Sequence, residues 1–266
     1  MDKQYVIYKN SRVCFYKFGT GPALAVCFHG YGEDGTSFQF LEKELGTKYT
    51  LYAIDLPFHG DTAWNEGLVF TQDDLKSIVS ALAGDASFAV MGYSLGGRIG
   101  LSLYQAIPQK VNRIVLLAPD GLKLNFWYWL ATQSRVGNKV FALTMRNPKW
   151  FFLLLALFNK LGVVNASIYK FVHHYIDNPE VRTLLYQRWT GLSRIRPDIK
   201  VIKRMIQTNH THIHLIYGKH DRIIRSERAQ SFYKGIGEYC TITIIVSGHQ
   251  VLHPRYLKEI ASTLSD

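Results

Sequence analysis

The stretch FAVMGYSLGGRIGLSL, residues 88–103, changes its periodicity partway along. Phe88 to Met91 form an uncharged apolar run of strand length, whereas from Leu95 onward apolar residues return at helical spacing, at Ile99 and Leu103. Between the two lies Gly92-Tyr93-Ser94-Leu95-Gly96, which fits G-x-S-x-G. In a chain with 21 glycines among 266 residues, five such residues in a row mean little alone. Their setting between a buried strand and a helix gives them weight. A serine on a sharp strand-to-helix turn needs neighbours two positions away that lack side chains, and both are glycine. The following helix aims N–H groups and a partial positive charge at the serine.

Outward from this turn, the chain alternates short apolar runs with helical segments. QYVIY, RVCFYKF and LAVCFH read as strands. After HGYGEDG comes a helical pattern, TSFQFLEKEL, and then the strand YTLYAIDL. A helix is expected after Thr71, with Asp74 three residues on in a capping arrangement. NRIVLLAP, HIHLIYG and TITIIVSG complete the strands, the last two each followed by a helical segment, from Ser226 and from His253. This alternation implies βαβ units and a parallel sheet. The uncharged cores LAVCF, IVLLA and ITIIV suit strands covered on both faces.

The alternation breaks between Asp120 and Pro197. Residues 121–197 are expected to form a helical cap inserted into a core of 1–120 and 198–266, with helices at FWYWLATQS, NPKWFFLLLALFNKLG, NASIYKFVHHYI and PEVRTLLYQRW. The insertion holds Trp127, Trp129, Trp150 and Trp189, four of the five tryptophans. It is also basic. Between Gly121 and Lys200, twelve Lys and Arg face three acidic residues, so this segment carries nine of the chain's eleven excess positive charges. Such an excess either steers an anionic substrate or surface, or marks solvated helix faces. Trp150 to Asn159 carries no charge but is far shorter than the ~20 residues of a spanning helix. Its default account is a buried helix in the cap, the alternatives being a lid with an apolar inner face over a lipophilic pocket or a lid resting on a membrane surface.

A serine nucleophile needs a base, and the base an orienting carboxylate. Asp221 follows the strand HIHLIYG and His249 follows TITIIVSG, so both would stand with Ser94 at the carboxyl ends of parallel strands, where α/β sheets collect functional groups. Asp120, after LLAP, is the rival acid. His253 is the rival base, placed by the pattern inside the last helical segment.

HGYG (29–32), DLPFHGDT (55–62), GYSLGG (92–97), LLAPDG, GKHD (218–221) and SGH (247–249) together resemble the α/β-hydrolase superfamily across nearly the whole chain. The resemblance implies an α/β fold with a mostly parallel, eight-stranded sheet flanked by helices, the cap following the sixth strand. It implies a catalytic Ser94–His249–Asp221 triad and an oxyanion hole built from the backbone N–H groups of Tyr31 and Leu95, with His29 ordering the loop. Candidate pocket residues are His29, Gly30, Tyr31, Trp127 and Trp150. Members usually show D-L-P-G-H-G-x-S, whereas Phe58 and Thr62 stand here for a glycine and the serine.

The expected activity is that of a cofactor-independent serine hydrolase acting on an ester or related acyl bond of a small, largely apolar substrate. Elimination or C–C cleavage of an anionic substrate with the same triad, as in the menaquinone-pathway synthase whose elbow GYSLGGR resembles, is the alternative. A non-catalytic binding protein stands behind both. No cofactor, metal or nucleic-acid partner is called for: Cys14, Cys27 and Cys240 have no metal-ligand spacing, and His210, His212 and His214 read as a polar strand entry. His173 and His174 fall on a cap helix, and Arg98 either approaches an anionic substrate or anchors its helix. The charged start MDKQYVIYKN lacks an export signal's apolar stretch, which points to the cytoplasm.

Overall fold

The computed structural model describes residues 2–123, 126–161 and 175–265. Eight strands form one sheet: β1 (Asp2–Tyr8), β2 (Ser11–Phe18), β3 (Ala23–Phe28), β4 (Tyr49–Ile54), β5 (Phe88–Tyr93), β6 (Val111–Leu117), β7 (His212–Gly218) and β8 (Cys240–Ile245). Their order is β1-β2-β4-β3-β5-β6-β7-β8, with β2 antiparallel to both its neighbours and every other pairing parallel. Every residue of β5 is buried, as covered parallel strands demand. The run ITIIV departs from that expectation: β8 is an edge strand, and Ile244 and Val246 are exposed.

The chain divides into two compact units, Met1–Lys123 with Ile195–Asp266, and Leu124–Arg194. In the first, TSFQFLEKEL forms a 3-10 segment (Gly35–Leu41) running into the single α-turn α1 (Glu42–Leu45), not one α-helix. Asp34 sets the tighter start by accepting from Thr36 N–H at 2.9 Å. The α2 helix (Gln72–Ala83) opens on a full capping box between Thr71 and Asp74. Tyr8 O–H also donates to Asp74 at 2.6 Å, which ties α2 to the edge of the sheet. The α3 helix (Leu95–Ala106) follows Ser94 directly, and its residues Leu95 to Tyr104 are all buried.

The second unit contains α4 (Phe126–Gln133), α5 (Arg135–Arg146), α6 (Lys149–Lys160) and α7 (Pro179–Gly191). The α5 helix adds to the helices read from the sequence; the segment NASIYKFVHHYI, with His173 and His174, lies largely outside the described residues. Aromatic side chains join α4, α5 and α7: Trp189 packs 5.6 Å from Tyr128 and 5.7 Å from Phe141 between ring centroids. Trp127 and Trp150 border a cavity of about 600 Å³ within this unit, walled also by Leu130, Phe141, Leu185 and Trp189. The expectation of a buried helix at Trp150–Asn159 is overturned. Within α6 only Leu155 is buried, while Leu153, Leu154, Leu157 and Phe158 are exposed. Periodicity reports apolarity, and this helix is apolar on a face that the described residues do not cover.

The first unit closes with α8 (Ile199–Asn209), α9 (Glu227–Tyr233) and α10 (Leu257–Ser265). No single helix among the described residues is long and apolar enough to cross a membrane.

Candidate active site

Ser94 sits where β5 ends and α3 begins, at φ 50° and ψ −111°. A non-glycine residue in that region stores about 1–3 kcal/mol of backbone strain, which persists only when its surroundings enforce it. Here they do: Ser94 N–H donates to Leu117 O at 2.9 Å, and Ser94 O accepts from Gly97 N–H at 2.9 Å and Asp120 N–H at 2.8 Å. The two motif glycines are steric necessities. A Cβ at Gly96 would lie 1.8 Å from Phe28 O, and one at Gly92 would lie 2.4 Å from Gly96 O.

His249 meets Ser94 from the loop after β8. Ser94 O–H donates to His249 Nε2 at 3.0 Å, and His249 Nδ1–H donates to Asp221 Oδ2 at 2.7 Å. Asp221, in the turn after β7, has no exposed side-chain surface, whereas the His249 side chain is 21% exposed. The second oxygen of Asp221 accepts from Ile223 N–H at 2.7 Å and Ile224 N–H at 2.9 Å. Three donors therefore hold the carboxylate in one orientation and compensate its burial. The loops carrying Asp221 and His249 are tied together by His220 N–H, which donates to Ser247 O at 2.8 Å.

The rivals lie elsewhere. Asp120 accepts from Gly121 N–H at 2.8 Å and stands 3.5 Å from Arg98 Nε. Arg98 is buried, so of its two proposed roles the structure favours anchoring the helix. His253 is not inside a helix: it is extended and caps the 3-10 turn Pro254–Tyr256, its ring accepting from Arg255 N–H at 3.2 Å.

The HG loop also divides by role. His29 is fully buried; its Nδ1–H donates to Gly30 O at 2.7 Å and its Nε2 accepts from Leu56 N–H at 3.0 Å. It therefore orders the loop and offers no surface to a ligand, which removes it from the pocket candidates. Gly30 is buried against the Tyr93 ring, which a Cβ there would meet at 2.9 Å. Tyr31 is half-buried, its ring 6.0 Å from His59. Leu95 is the first residue of α3, so its N–H is one of the four in a helix that have no intrahelical acceptor.

Three residues that sequence reading passed over surround the dyad. Tyr93, only 2% exposed, lies 5.6 Å from the His249 ring, and its O–H lies 3.3 Å from both His249 O and Gln250 Oε1. Burial pushes its phenol well above the usual range, so it stays a neutral donor. Gln250 Nε2–H donates to Glu33 Oε1 at 3.4 Å, and Gly30 N–H donates to Glu33 Oε2 at 3.3 Å. Burial raises the Glu33 carboxyl above its ordinary range, against the pull of these hydrogen bonds and of His249. This chain latches the HG loop to the His249 loop. Its only sequence signal was position, Glu33 inside HGYGEDG and Tyr93 beside Ser94.

DLPFHGDT accounts for its own departures. Phe58 sits at φ 65°, a left-handed conformation that favours glycine, so the aromatic side chain is carried at a cost in strain. Thr62 preserves the hydroxyl: Oγ1 donates to Asp55 O at 2.7 Å and accepts from Cys14 N–H at 2.9 Å. The cysteines are free and buried, and burial pushes the Cys14 thiol up to about 12 and Cys240 up to about 11. Both are protonated at neutral pH and unsuited to nucleophilic work. His214 bonds Thr243 at 2.8 Å, His210 bonds Tyr239 at 2.6 Å and His212 packs on the Tyr239 ring.

A parallel sheet presenting a Ser–His–Asp constellation at its strand ends, with the serine on a strained strand-to-helix turn, defines an α/β-hydrolase fold. The alpha/beta hydrolase family model matches residues 25–263, and the chain belongs to that family. A pimeloyl-[acyl-carrier protein] methyl ester esterase of Vibrio parahaemolyticus is 31% identical over 103 residues, 38% of each chain. An uncharacterized hydrolase of Bacillus subtilis is 29% identical over 104 residues, again 38% of each. The chain thus spans about two fifths of the length of these curated relatives. Among solved structures, a thermophilic esterase from Thermogutta terrifontis aligns with a TM-score of 0.67 and 15% identity, covering 100% of this chain and 97% of that one.

Proposed function

We infer that this chain is a cofactor-independent serine hydrolase that cleaves an ester or related acyl bond through an acyl-enzyme. One observation carries this reading: two hydrogen bonds, at 3.0 and 2.7 Å, run from the Ser94 hydroxyl through His249 to a buried carboxylate.

In this mechanism Ser94 Oγ attacks the substrate's acyl carbon as its proton passes to His249 Nε2, and Asp221 orients and stabilises the imidazolium. The acyl oxygen takes up the negative charge and accepts from the N–H groups of Tyr31 and Leu95, each donor typically worth ~3 kcal/mol. The C–O bond to the leaving group then breaks, and His249 returns the proton to the departing alcohol. Water, deprotonated at Nε2, attacks the acyl-Ser94 carbon; the Oγ–acyl bond breaks, Ser94 regains its proton, and the carboxylic acid leaves.

The naming of a relative as a methyl ester esterase makes a carboxylic ester the first bond class to try, and the uncharged, aromatic-rich stretches of residues 121–197 favour a substrate that is itself largely apolar. Elimination or C–C cleavage of an anionic substrate draws on the basic charge of residues 121–200 but gains nothing from Arg98, which is buried beside Asp120. A residence in the cytoplasm fits three reduced, buried thiols.

The test is a series of p-nitrophenyl esters. From acetate to octanoate, kcat/KM is expected to rise at least tenfold, which burial of about two of the six added methylenes supplies at ~0.8 kcal/mol each. A flat or falling series contradicts the apolar substrate. Turnover of a carboxylate-rich substrate with none on any ester selects the elimination or C–C reading instead.

A further inference from the structure

We propose that α5 and α6 dock the protein onto the surface of an anionic lipid bilayer. The helices join at a bend of 97° and are each 12 residues long. At 1.5 Å per residue each reaches about 18 Å, well short of the ~30 Å hydrocarbon core, so neither spans and both are of a length to lie along an interface.

Each helix exposes an apolar stripe. On α5 it runs through Val136, Val140 and Leu143, at i, i+4 and i+7, with Leu143 57% exposed and Val136 and Val140 at the rim of the second unit's cavity, which they also line. On α6 and the residue after it, Leu153, Leu154, Leu157, Phe158 and Leu161 share one side at i, i+1, i+4, i+5 and i+8, with Leu153 74% and Leu161 64% exposed. Single exposed apolar residues are ordinary, whereas two stripes on consecutive helices mark an interaction face.

Charge selects the occupant. Residues 126–161 hold five basic residues, Arg135, Lys139, Arg146, Lys149 and Lys160, and no acidic one. All five are exposed, and Lys149 and Lys160 flank the α6 stripe at its two ends. A second copy of this face would bring the same positive charges together, which opposes a symmetric dimer. Anionic headgroups above hydrocarbon match both features at once: Leu, Val and Phe enter the acyl boundary while Lys and Arg stay with the phosphates. This docking depends on neither Ser94 nor turnover, so it stands or falls separately from the hydrolase reading.

The experiment is co-sedimentation of the full chain with vesicles of phosphatidylcholine containing about one third phosphatidylglycerol, compared with pure phosphatidylcholine. The native chain is expected to bind the anionic vesicles, to bind pure phosphatidylcholine at least tenfold more weakly, and to lose affinity as salt rises. Leu153→Glu with Leu157→Glu should weaken binding at least tenfold, as should Lys149→Glu with Lys160→Glu. All four side chains are exposed, so unchanged thermal melting and unchanged hydrolysis of a soluble short-chain ester confirm intact folding. Failure of the native chain to bind anionic vesicles overturns the proposal, as does undiminished binding by the Leu153/Leu157 variant. A native dimer by light scattering that this variant dissociates, without vesicle binding, also overturns it and assigns the face to self-association.

Discussion

Ser94→Ala is expected to lower kcat on an activated ester by about a millionfold, His249→Ala by about as much, and the double variant by no more than either alone. Non-additivity is the informative part. The hydroxyl is a weak nucleophile until His249 Nε2, 3.0 Å away, takes its proton, and the imidazole has nothing to activate once the hydroxyl is gone. Independent contributions would multiply. Losses that multiply in the double variant would therefore deny that the two side chains act as a unit. The turn at residue 94 is enforced through its backbone N–H and C=O, so Ser94→Ala should keep the fold and melt near the native temperature.

Asp221→Asn is expected to cost about 10⁴-fold in kcat, while Asp120→Asn should leave kcat within a few-fold of native. The asparagine would keep an acceptor for the N–H groups of Ile223 and Ile224 only by turning its amide NH2 toward His249 Nδ1–H, donor against donor. Escape from that clash forces the other imidazole tautomer, with its proton on Nε2, where it cannot accept from Ser94. Asp120 stands instead beside the buried Arg98, so its loss should register as a drop in melting temperature and not in turnover. A larger loss of turnover in Asp120→Asn than in Asp221→Asn would overturn the choice of acid.

The core was legible because its signals are local. Strand runs bounded by turn residues located the sheet, and G-x-S-x-G fixed one strand-to-helix junction, since no other residues satisfy a turn in which a Cβ would strike a carbonyl at 1.8 Å. Asp221 and His249 were legible as strand-end residues because a parallel sheet brings such ends to one rim. The edge position of β8 was not, because Ile and Val runs look alike whether one face is covered or two.

The second unit was less legible for the same physical reason. Trp150–Asn159 is apolar all round, and apolarity alone does not say whether anything covers it. The α5 helix carries Gly137 and Asn138 in its first turn, residues of low helix propensity that weaken the local signal. Asn138 is used there for its side chain, which donates to Thr190 Oγ1 at 3.2 Å and ties α5 to α7. The latch of Glu33, Gln250 and Tyr93 joins residues up to 217 positions apart, and no local pattern announces a contact of that separation.

The central claim is an activated serine at residue 94, and the measurement closest to it is covalent capture by a fluorophosphonate read by intact mass. The native chain should gain one adduct, mapped to Ser94, which Ser94→Ala lacks altogether and His249→Ala forms at a rate reduced at least a thousandfold, to about background. A native chain that stays unlabelled, or a Ser94→Ala chain that labels as fast as native, would contradict it.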